Sequence, residues 1–173
     1  MNETIDTLIA KEAIRQQLVN YGRGMDRMDE GLVRHVFHST ATVDYGIPGV
    51  TTAQQLIDTC WVYHAKMDVM LHRIVNITVE VRADQSASEA YCIALLVERL
   101  DGAHVRETFA HARYLDRWSC GEGRWAIDAR KGVLDHGGTR EYPVSFMPAN
   151  GRPDMDDPSY ALFAKFARET GGH

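Results

Sequence analysis

A carboxylate at Asp26 and an imidazole at His72 are the side chains of this sequence that best fit acid–base chemistry. Imidazole titrates near neutral pH, so His72 could take a proton from a carbon atom. A carboxylate hydrogen-bonded to one ring nitrogen would fix the tautomer and stabilise the imidazolium that forms. Asp26 could supply that carboxylate, or it could merely cap a helical turn beside the charged residues 27–30.

Apolar and aromatic residues elsewhere in the chain could line a pocket for an organic substrate. Residues of these types are more often ordinary core, and a histidine in a sheet is more often held by structural hydrogen bonds. The histidines show no ligand spacing such as His-x3-His, so we expect neither a metal site nor another cofactor. The candidates for the pocket wall are Met25, Trp61, Met70, Phe109 and His111.

The first part of the chain has the spacing of helices. Apolar residues follow helical periodicity from Thr4, a suitable N-cap, toward two glycines that should loosen the end of that helix. A third helix should likewise begin after a threonine and carry an apolar face. The expected elements are a helix from Thr4 toward Gly22 and Gly24, a short helix over residues 29–38, a strand around residues 41–45 and a helix that starts after Thr51 or Thr52.

From residue 69 onward, long runs rich in branched and aromatic residues predict strands. The connections between them are too short for crossover helices, so the sheet should be antiparallel. Helices followed by such a sheet form an α+β arrangement in which the helices cover one sheet face. The expected strands cover residues 69–81, 90–100, 105–118 and 125–134.

Strict alternation along two of these strands gives mixed faces. His72 shares its phase with Ile74 but also with Asn76, and the opposite phase holds valines. Such a face fits a pocket studded with polar groups, and an exposed face would look similar. Arg130 alternates with Asp128 on one face, which makes a structural ion pair at least as good an explanation as a catalytic role.

Composition argues against several classes of partner. The chain has 24 acidic and 19 basic residues, a net charge of −5, and no concentrated basic surface that would predict nucleic-acid binding. Its three cysteines contain no CxxC pair, so neither a disulfide framework nor a thiolate zinc site is expected. Without a visible export signal or a membrane-spanning apolar stretch, the expected location is the cytoplasm and no membrane partner is expected.

Three features in order resemble the SnoaL-like family of the NTF2-like superfamily, whose members include scytalone dehydratase, bile-acid 7α-dehydratase and hexachlorocyclohexane dehydrochlorinase. They are a first helix that ends with residues 21–26, a His72 that opens the first long strand, and a hairpin leading to Trp125 and Arg130. The likeness spans residues 5–135. It implies an α+β, NTF2-like cone, in which N-terminal helices pack on a strongly curved, mainly antiparallel sheet.

The resemblance implies that Asp26 and His72 form an elimination dyad. It also assigns Tyr21 as the acid that protonates a leaving hydroxide, and Arg130 as a cation that stabilises negative charge. Tyr21 could equally be a buried core tyrosine. In a regular helix Tyr21 and Asp26 sit about 140° apart, so both face one cavity only if the glycine segment between them departs from α geometry.

The function expected from these features is a cofactor-independent lyase. It would perform a dehydratase-type β-elimination on a small hydrophobic alicyclic, steroid-like or polyketide-like molecule. An isomerase or polyketide cyclase on the same fold is an alternative, and so is a non-catalytic domain for small-molecule binding or assembly.

The expected SnoaL-like domain covers residues 1–135, and residues 136–173 are expected to form a C-terminal arm that belongs to the same domain. The arm contains four of the five prolines and a short helix over residues 159–168. A curved sheet with a partly apolar outer face, together with this arm, favours a homotrimer or a homodimer.

Overall fold

The computed structural model describes residues 4–144 and 150–170. Its five strands form one curved sheet in the order β1-β5-β4-β3-β2. The elements along the chain are α1 (Ile5–Asp26), α2 (Glu30–Val36), β1 (Phe37–Asp44), α3 (Ala53–His64), β2 (Met67–Arg82), β3 (Gln85–Arg99), β4 (His104–Gly121), β5 (Arg124–Pro143) and α4 (Pro158–Thr170).

The first and third helices begin where their threonines predict. The Thr4 side chain accepts a hydrogen bond from the backbone N–H of Thr7 at the start of α1. Thr52 and Gln55 form a reciprocal capping box at the start of α3. The buried face of α1 has helical spacing and joins the main core against the sheet; its large members are Ile14, Leu18, Tyr21 and Met25. None of the helices among the described residues is long and apolar enough to cross a membrane.

Two boundaries near the start of the sheet differ from the prediction. The second helix ends at Val36, because Phe37 takes an extended backbone conformation and already pairs with Ile127 on β5. The first strand therefore starts earlier than expected. β1 pairs with β5 in parallel, whereas the other three strand pairs are antiparallel. A parallel pair needs a long connection, and the chain between β1 and β5 provides one.

A β-bulge in β2 explains the mixed face around His72. The pairing with β3 shifts between Val75 and Thr78, and Asn76 has a positive φ of 49°. The strand therefore changes phase, so that Ile74 and, beyond the bulge, Ile77 both pack against the main core. Each half of β2 therefore has apolar residues facing the core, but the residues that face it have even numbers before the bulge and odd numbers after it.

A second register shift corrects the predicted phase of Arg130. Trp118 pairs with Ile127 and the preceding Arg117 pairs with Ala129, which leaves Asp128 unpaired on β5. Asp128 is exposed, whereas Ile127 and Arg130 are both buried. Arg130 therefore does not share a face with Asp128 and points into the core.

Residues just before α4 contact the end of α1, and β5 extends into the segment predicted as an arm. β5 continues to Pro143, so the expected boundary at residue 135 falls inside a strand. The helix expected over residues 159–168 is present as α4. Just before it, the Asp157 carboxylate lies 3.3 Å from Nε of Arg27, and the Arg23 guanidinium donates a hydrogen bond to Ser159. These contacts brace the residues on either side of Asp26.

Candidate active site

The end of α1 and the beginning of β2 bring Asp26 and His72 into direct contact. One carboxylate oxygen, Oδ1, accepts a hydrogen bond from the backbone N–H of His72 at 2.8 Å and lies 2.7 Å from its ring Nδ1. Only 16% of the Asp26 side chain and 7% of the His72 side chain are exposed. Since a carboxylate accepts, Nδ1–H of His72 is the donor in this hydrogen bond, and Nε2 is the ring nitrogen that points away from Asp26. An imidazole held in this way can act as an oriented general base.

Gly22 allows α1 to approach β2 closely enough for this contact. A Cβ atom at position 22 would lie 3.1 Å from the backbone oxygen of His72 and 3.2 Å from Cγ1 of Ile74. Both distances are tighter than an ordinary contact, and one of the two atoms belongs to backbone. The glycine therefore does not loosen the helix as predicted, because α1 remains helical to Asp26. It sets the distance between the helix and the strand that carry the dyad.

Gly22→Ala is expected to destabilise the protein by about 1–3 kcal/mol, because the added methyl group overpacks the contact between α1 and β2. The matched control is Gly31→Ala in α2, where the new Cβ would meet only Oδ1 of Asp29, at 3.6 Å. Alanine is the better helix former, so that control should be neutral or stabilising. Urea unfolding of both variants measures the difference. Equal stabilities for the two variants would show that the close approach at Gly22 has no energetic importance.

Two depressions border the dyad, and a row of small residues adjoins it. One, of about 340 Å³, is lined by Asp26, His72 and their neighbours on α1 and β2. The other, of about 330 Å³, is lined by Asp26, Met70 and residues 150–153 of the C-terminal segment. Directly across the sheet from His72 stand Ala94, Ala110 and Gly137. Cross-strand partners share a face, so small side chains leave room beside the imidazole.

A larger depression of about 550 Å³ lies elsewhere, between α2, α3 and β1. Its wall includes Arg34, His38 and Arg124, and it contains neither Asp26 nor His72. Size alone would favour this depression as a binding site. The Asp26–His72 pair borders the two smaller depressions, and acid–base chemistry would require a reacting atom within about 3 Å of the imidazole. We therefore assign the candidate site to the surroundings of the dyad.

A second histidine, His64, lies against the imidazole of the dyad. It occupies the last turn of α3, only 4% of it is exposed, and its ring centre is 5.7 Å from that of His72. Burial, and then the neighbouring His72, lower the pKa of His64 to about 4, so this ring is neutral at pH 7. Within residues 4–144 and 150–170, no group forms a hydrogen bond with its buried Nδ1 atom.

A buried group that we call the tyrosine–arginine cluster lies deeper in the core. Its members are Tyr21, Tyr45, Tyr114, Asp116 and Arg130. The Arg130 guanidinium forms a bidentate ion pair with Asp116, with N–O distances of 2.7 and 2.8 Å, and both side chains are fully buried. It also lies over the rings of Tyr21 and Tyr114, 4.3 and 4.2 Å from their centres. The hydroxyl groups of Tyr21 and Tyr45 are 3.4 Å apart.

Burial determines how the groups of the tyrosine–arginine cluster ionise. Desolvation raises the pKa of Tyr21 and of Tyr114 well above the ordinary value for a phenol. Burial alone would lower the pKa of Arg130, but the Asp116 carboxylate outweighs it and holds that pKa above its usual range. The phenols therefore stay protonated and Arg130 stays charged at every ordinary pH.

The structure separates Tyr21 from the face of α1 that carries Asp26. α1 is regular between the two residues, so they point about 140° apart. The departure from helical geometry that would bring both into one cavity is absent from this helix. Tyr21 lies in the core with its ring edge-on to Phe37 and Tyr114. Arg130 lies in the same cluster, where Asp116 occupies two of its guanidinium nitrogens.

The predicted wall residues divide between the dyad face, the core and the opposite sheet face. Met70 lines a depression beside Asp26. Met25 and Trp61 belong to the main core or pack against it. Phe109 and His111 are a correction: Ala110, between them, stands in the row opposite His72, so alternation directs its two neighbours to the other face. There both rings contact His136.

Two residues of this region were not predicted from the sequence, although the spacing of apolar residues around each of them indicates that it is buried. His64 follows Cys60 by four residues and so continues the apolar stripe of α3. Asp116 alternates between Tyr114 and Trp118, and all three are buried on the same face of β4. A charged residue that alternates with aromatic residues along a strand is therefore expected to be buried with them and to need a buried partner of opposite charge.

Metal-ligand geometry was also searched for. Over residues 4–144 and 150–170, no three or more His, Cys, Asp or Glu side chains are arranged to hold a metal ion.

Comparison with known proteins relates this geometry to a family. Hexachlorocyclohexane dehydrochlorinase LinA-type3 from Novosphingobium barchaimii is similar in structure, with a TM-score of 0.66 and 19% identity over 84% of this chain and 99% of that chain. A scytalone dehydratase-like protein from Novosphingobium aromaticivorans has a TM-score of 0.66 and 18% identity, over 84% of this chain and 95% of that one. No curated protein sequence matches the chain.

These structural similarities, at low identity, establish the NTF2-like α+β cone fold. The family is established separately, by sequence. Residues 6–131 match the SnoaL-like domain family, and they make up most of the chain. The protein belongs to the SnoaL-like domain family.

Proposed function

We propose that this protein is a cofactor-independent lyase that removes water from a small hydrophobic molecule by β-elimination. The observation that carries the proposal is the contact between Oδ1 of Asp26 and Nδ1 of His72, at 2.7 Å in a largely buried position. Loss of a hydrogen halide from a similar substrate is the less favoured variant. Membership in a family whose fold is shared with dehydratase-like and dehydrochlorinase structures supports the reaction class.

In this mechanism His72 takes the proton from carbon. Its Nε2 lone pair accepts the proton while Asp26 holds the ring through Nδ1–H and stabilises the imidazolium. The electrons of the broken C–H bond form the new double bond as the C–O bond breaks. The imidazolium can return its proton to the departing hydroxide when both groups leave from one face of the substrate. Water is then released and His72 is neutral again.

The sequence assigned help for the leaving group to Tyr21, with Arg130 in support. Their positions argue for a less direct role. Tyr21 points away from the side of α1 that carries Asp26, and Arg130 is already paired with Asp116. We propose that both residues form a rigid polar wall behind the substrate site. The proton for the leaving group comes from His72 itself.

The surroundings of the dyad favour an apolar, ring-shaped substrate. Val69, Met70, Leu71 and Pro153 form the apolar part of the depression of about 330 Å³ beside Asp26, and charged side chains such as Arg27 and Asp68 lie at the same depression. The alanines opposite His72 leave space without adding polar groups. An alicyclic, steroid-like or polyketide-like molecule fits this chemistry.

A homotrimer or a homodimer remains part of the proposal, as expected from the sequence.

The experiment is incubation of the protein with a panel of hydroxylated alicyclic ketones and hydroxylated steroids, followed by mass spectrometry. We expect at least one compound to lose one molecule of water. The His72→Ala variant serves as the blank and should leave the compound unchanged. A product of unchanged mass would instead identify an isomerase or a cyclase. Failure to convert any compound, or equal conversion by the blank, would support the non-catalytic alternative.

A further inference from the structure

We propose that His64 donates a hydrogen bond to the substrate oxygen on the carbon next to the one that His72 deprotonates. The inference rests on the proposed function and adds a residue and a substrate class to it. The substrate would be a β-hydroxy carbonyl compound, whose carbonyl oxygen becomes negative when the α-proton leaves. A halogenated hydrocarbon has no such oxygen and would not need His64.

The position of His64 is the first argument. Its ring centre is 5.7 Å from that of His72, with the ring planes tilted by 46°. In a β-hydroxy ketone, the α-carbon and the carbonyl oxygen are separated by a single atom. Two adjacent imidazoles can therefore reach both atoms, each at a distance of about 3 Å. His72 would contact the α-carbon and His64 the oxygen.

The unused hydrogen-bonding capacity of His64 is the second argument. The ring is 4% exposed, and no described residue forms a hydrogen bond with its buried Nδ1. Leaving a buried polar atom unpaired costs its full desolvation, and an apolar side chain at this position would avoid that cost. A ligand that reaches the ring would supply the missing partner. The core alone gives no reason for a histidine here.

The charge state of His64 is the third argument. Its pKa is lowered to about 4 by burial and by His72, so the ring stays neutral under ordinary conditions. A neutral imidazole has one N–H group to donate and no positive charge. It can stabilise a developing oxyanion, as a neutral histidine is able to do in a preorganised site. It also does not repel the imidazolium that His72 becomes.

With His64 as the hydrogen-bond donor, the elimination proceeds in two steps through an enolate. His72 takes the α-proton, and the electrons of the C–H bond move onto the carbonyl oxygen to form an enolate held by the N–H of His64. The enolate then re-forms the carbonyl as the α,β double bond forms and the β C–O bond breaks. The departing hydroxide takes the proton from His72 and leaves as water. The product is an α,β-unsaturated carbonyl compound.

The test uses 2-tetralone in D2O, a ketone with acidic α-protons and no leaving group, and follows α-hydrogen exchange by NMR. We expect wild-type protein to catalyse exchange, and His64→Phe to lower kcat about 10²-fold with little change in KM, as for loss of one oxyanion donor. His64→Gln, which keeps a donor, should recover most of the rate. A purely structural role would not produce this rescue.

The outcomes separate the inference from the function on which it rests. If His64→Phe exchanges protons at the wild-type rate while His72→Ala does not, the inference is wrong and the dyad stands. If His64→Gln is as slow as His64→Phe in an equally stable protein, the inference is also wrong. Exchange that depends on His64, without water loss from any hydroxy ketone, supports the inference and contradicts the elimination. No exchange by the wild type contradicts both.

Discussion

Asp26→Asn is expected to lower kcat by about 10⁴-fold, because an amide in place of the carboxylate can hold the histidine in the wrong tautomer. The neutral amide also cannot stabilise the imidazolium that forms during proton transfer. Both hydrogen bonds from His72 go to Oδ1 of Asp26, so an asparagine that places its amide nitrogen at that position loses both together. Steady-state kinetics with a compound converted in the panel would measure the effect.

A matched control for this prediction lies three residues further along the chain. Asp29 caps α2 by accepting a hydrogen bond from the backbone N–H of Leu32. Asparagine is an equally good cap, so Asp29→Asn should keep both activity and stability. Asp26→Asn with activity within a few-fold of wild type would remove Asp26 from the mechanism. Unfolding curves for both variants show whether any loss of activity reflects loss of structure.

Arg130→Met is expected to lower the free energy of unfolding by about 3–5 kcal/mol, because it leaves the Asp116 carboxylate buried without its partner. Both side chains are fully buried, so water cannot replace the missing guanidinium. The rings of Tyr21 and Tyr114 would also lose their contact with a cation. Urea denaturation at neutral pH measures the change.

The control for this prediction is an ion pair on the surface with a similar N–O distance. Nε of Arg99 lies 2.9 Å from the Asp68 carboxylate, and these side chains are 51% and 42% exposed. Arg99→Met should therefore cost less than about 1 kcal/mol. The double substitution Arg130→Met with Asp116→Leu should recover much of the lost stability, because no unpaired charge remains. A small effect of Arg130→Met alone would mean that water reaches the tyrosine–arginine cluster.

The contact of Asp26 with His72 followed from the sequence only through the order of elements. The capping residues Thr4 and Thr52 indicated where two helices begin, and the long runs of β-branched residues indicated the strands. The resemblance to the SnoaL-like family then predicted that the end of the first helix lies beside the first long strand. The distance between those elements depends on Gly22. From the sequence alone, one cannot distinguish a glycine that loosens a helix from a glycine that lets another segment of the chain pack closely against it.

The orientation of strand residues was harder to predict, because one unpaired residue reverses every side chain beyond it. Asn76 and Asp128 are such residues, and strict alternation through them gave His72 a mixed face and Arg130 the wrong face. The prediction that Phe109 and His111 line the same pocket as His72 depended on a related uncertainty in strand register. Whether they share a face with His72 depends on register across two strand pairs, which local sequence does not contain.

The bracing of α1 by the C-terminal segment has a consequence for synthesis of the protein. Arg23 finds its hydrogen-bond partner 136 residues later in the chain, at Ser159, and Arg27 contacts Asp157. A ribosome completes the first helix long before it makes these partners. The aspartate between the two arginines therefore reaches its final surroundings only near the end of translation. A chain halted before residue 157 would have both members of the dyad but lack the support on either side of one of them.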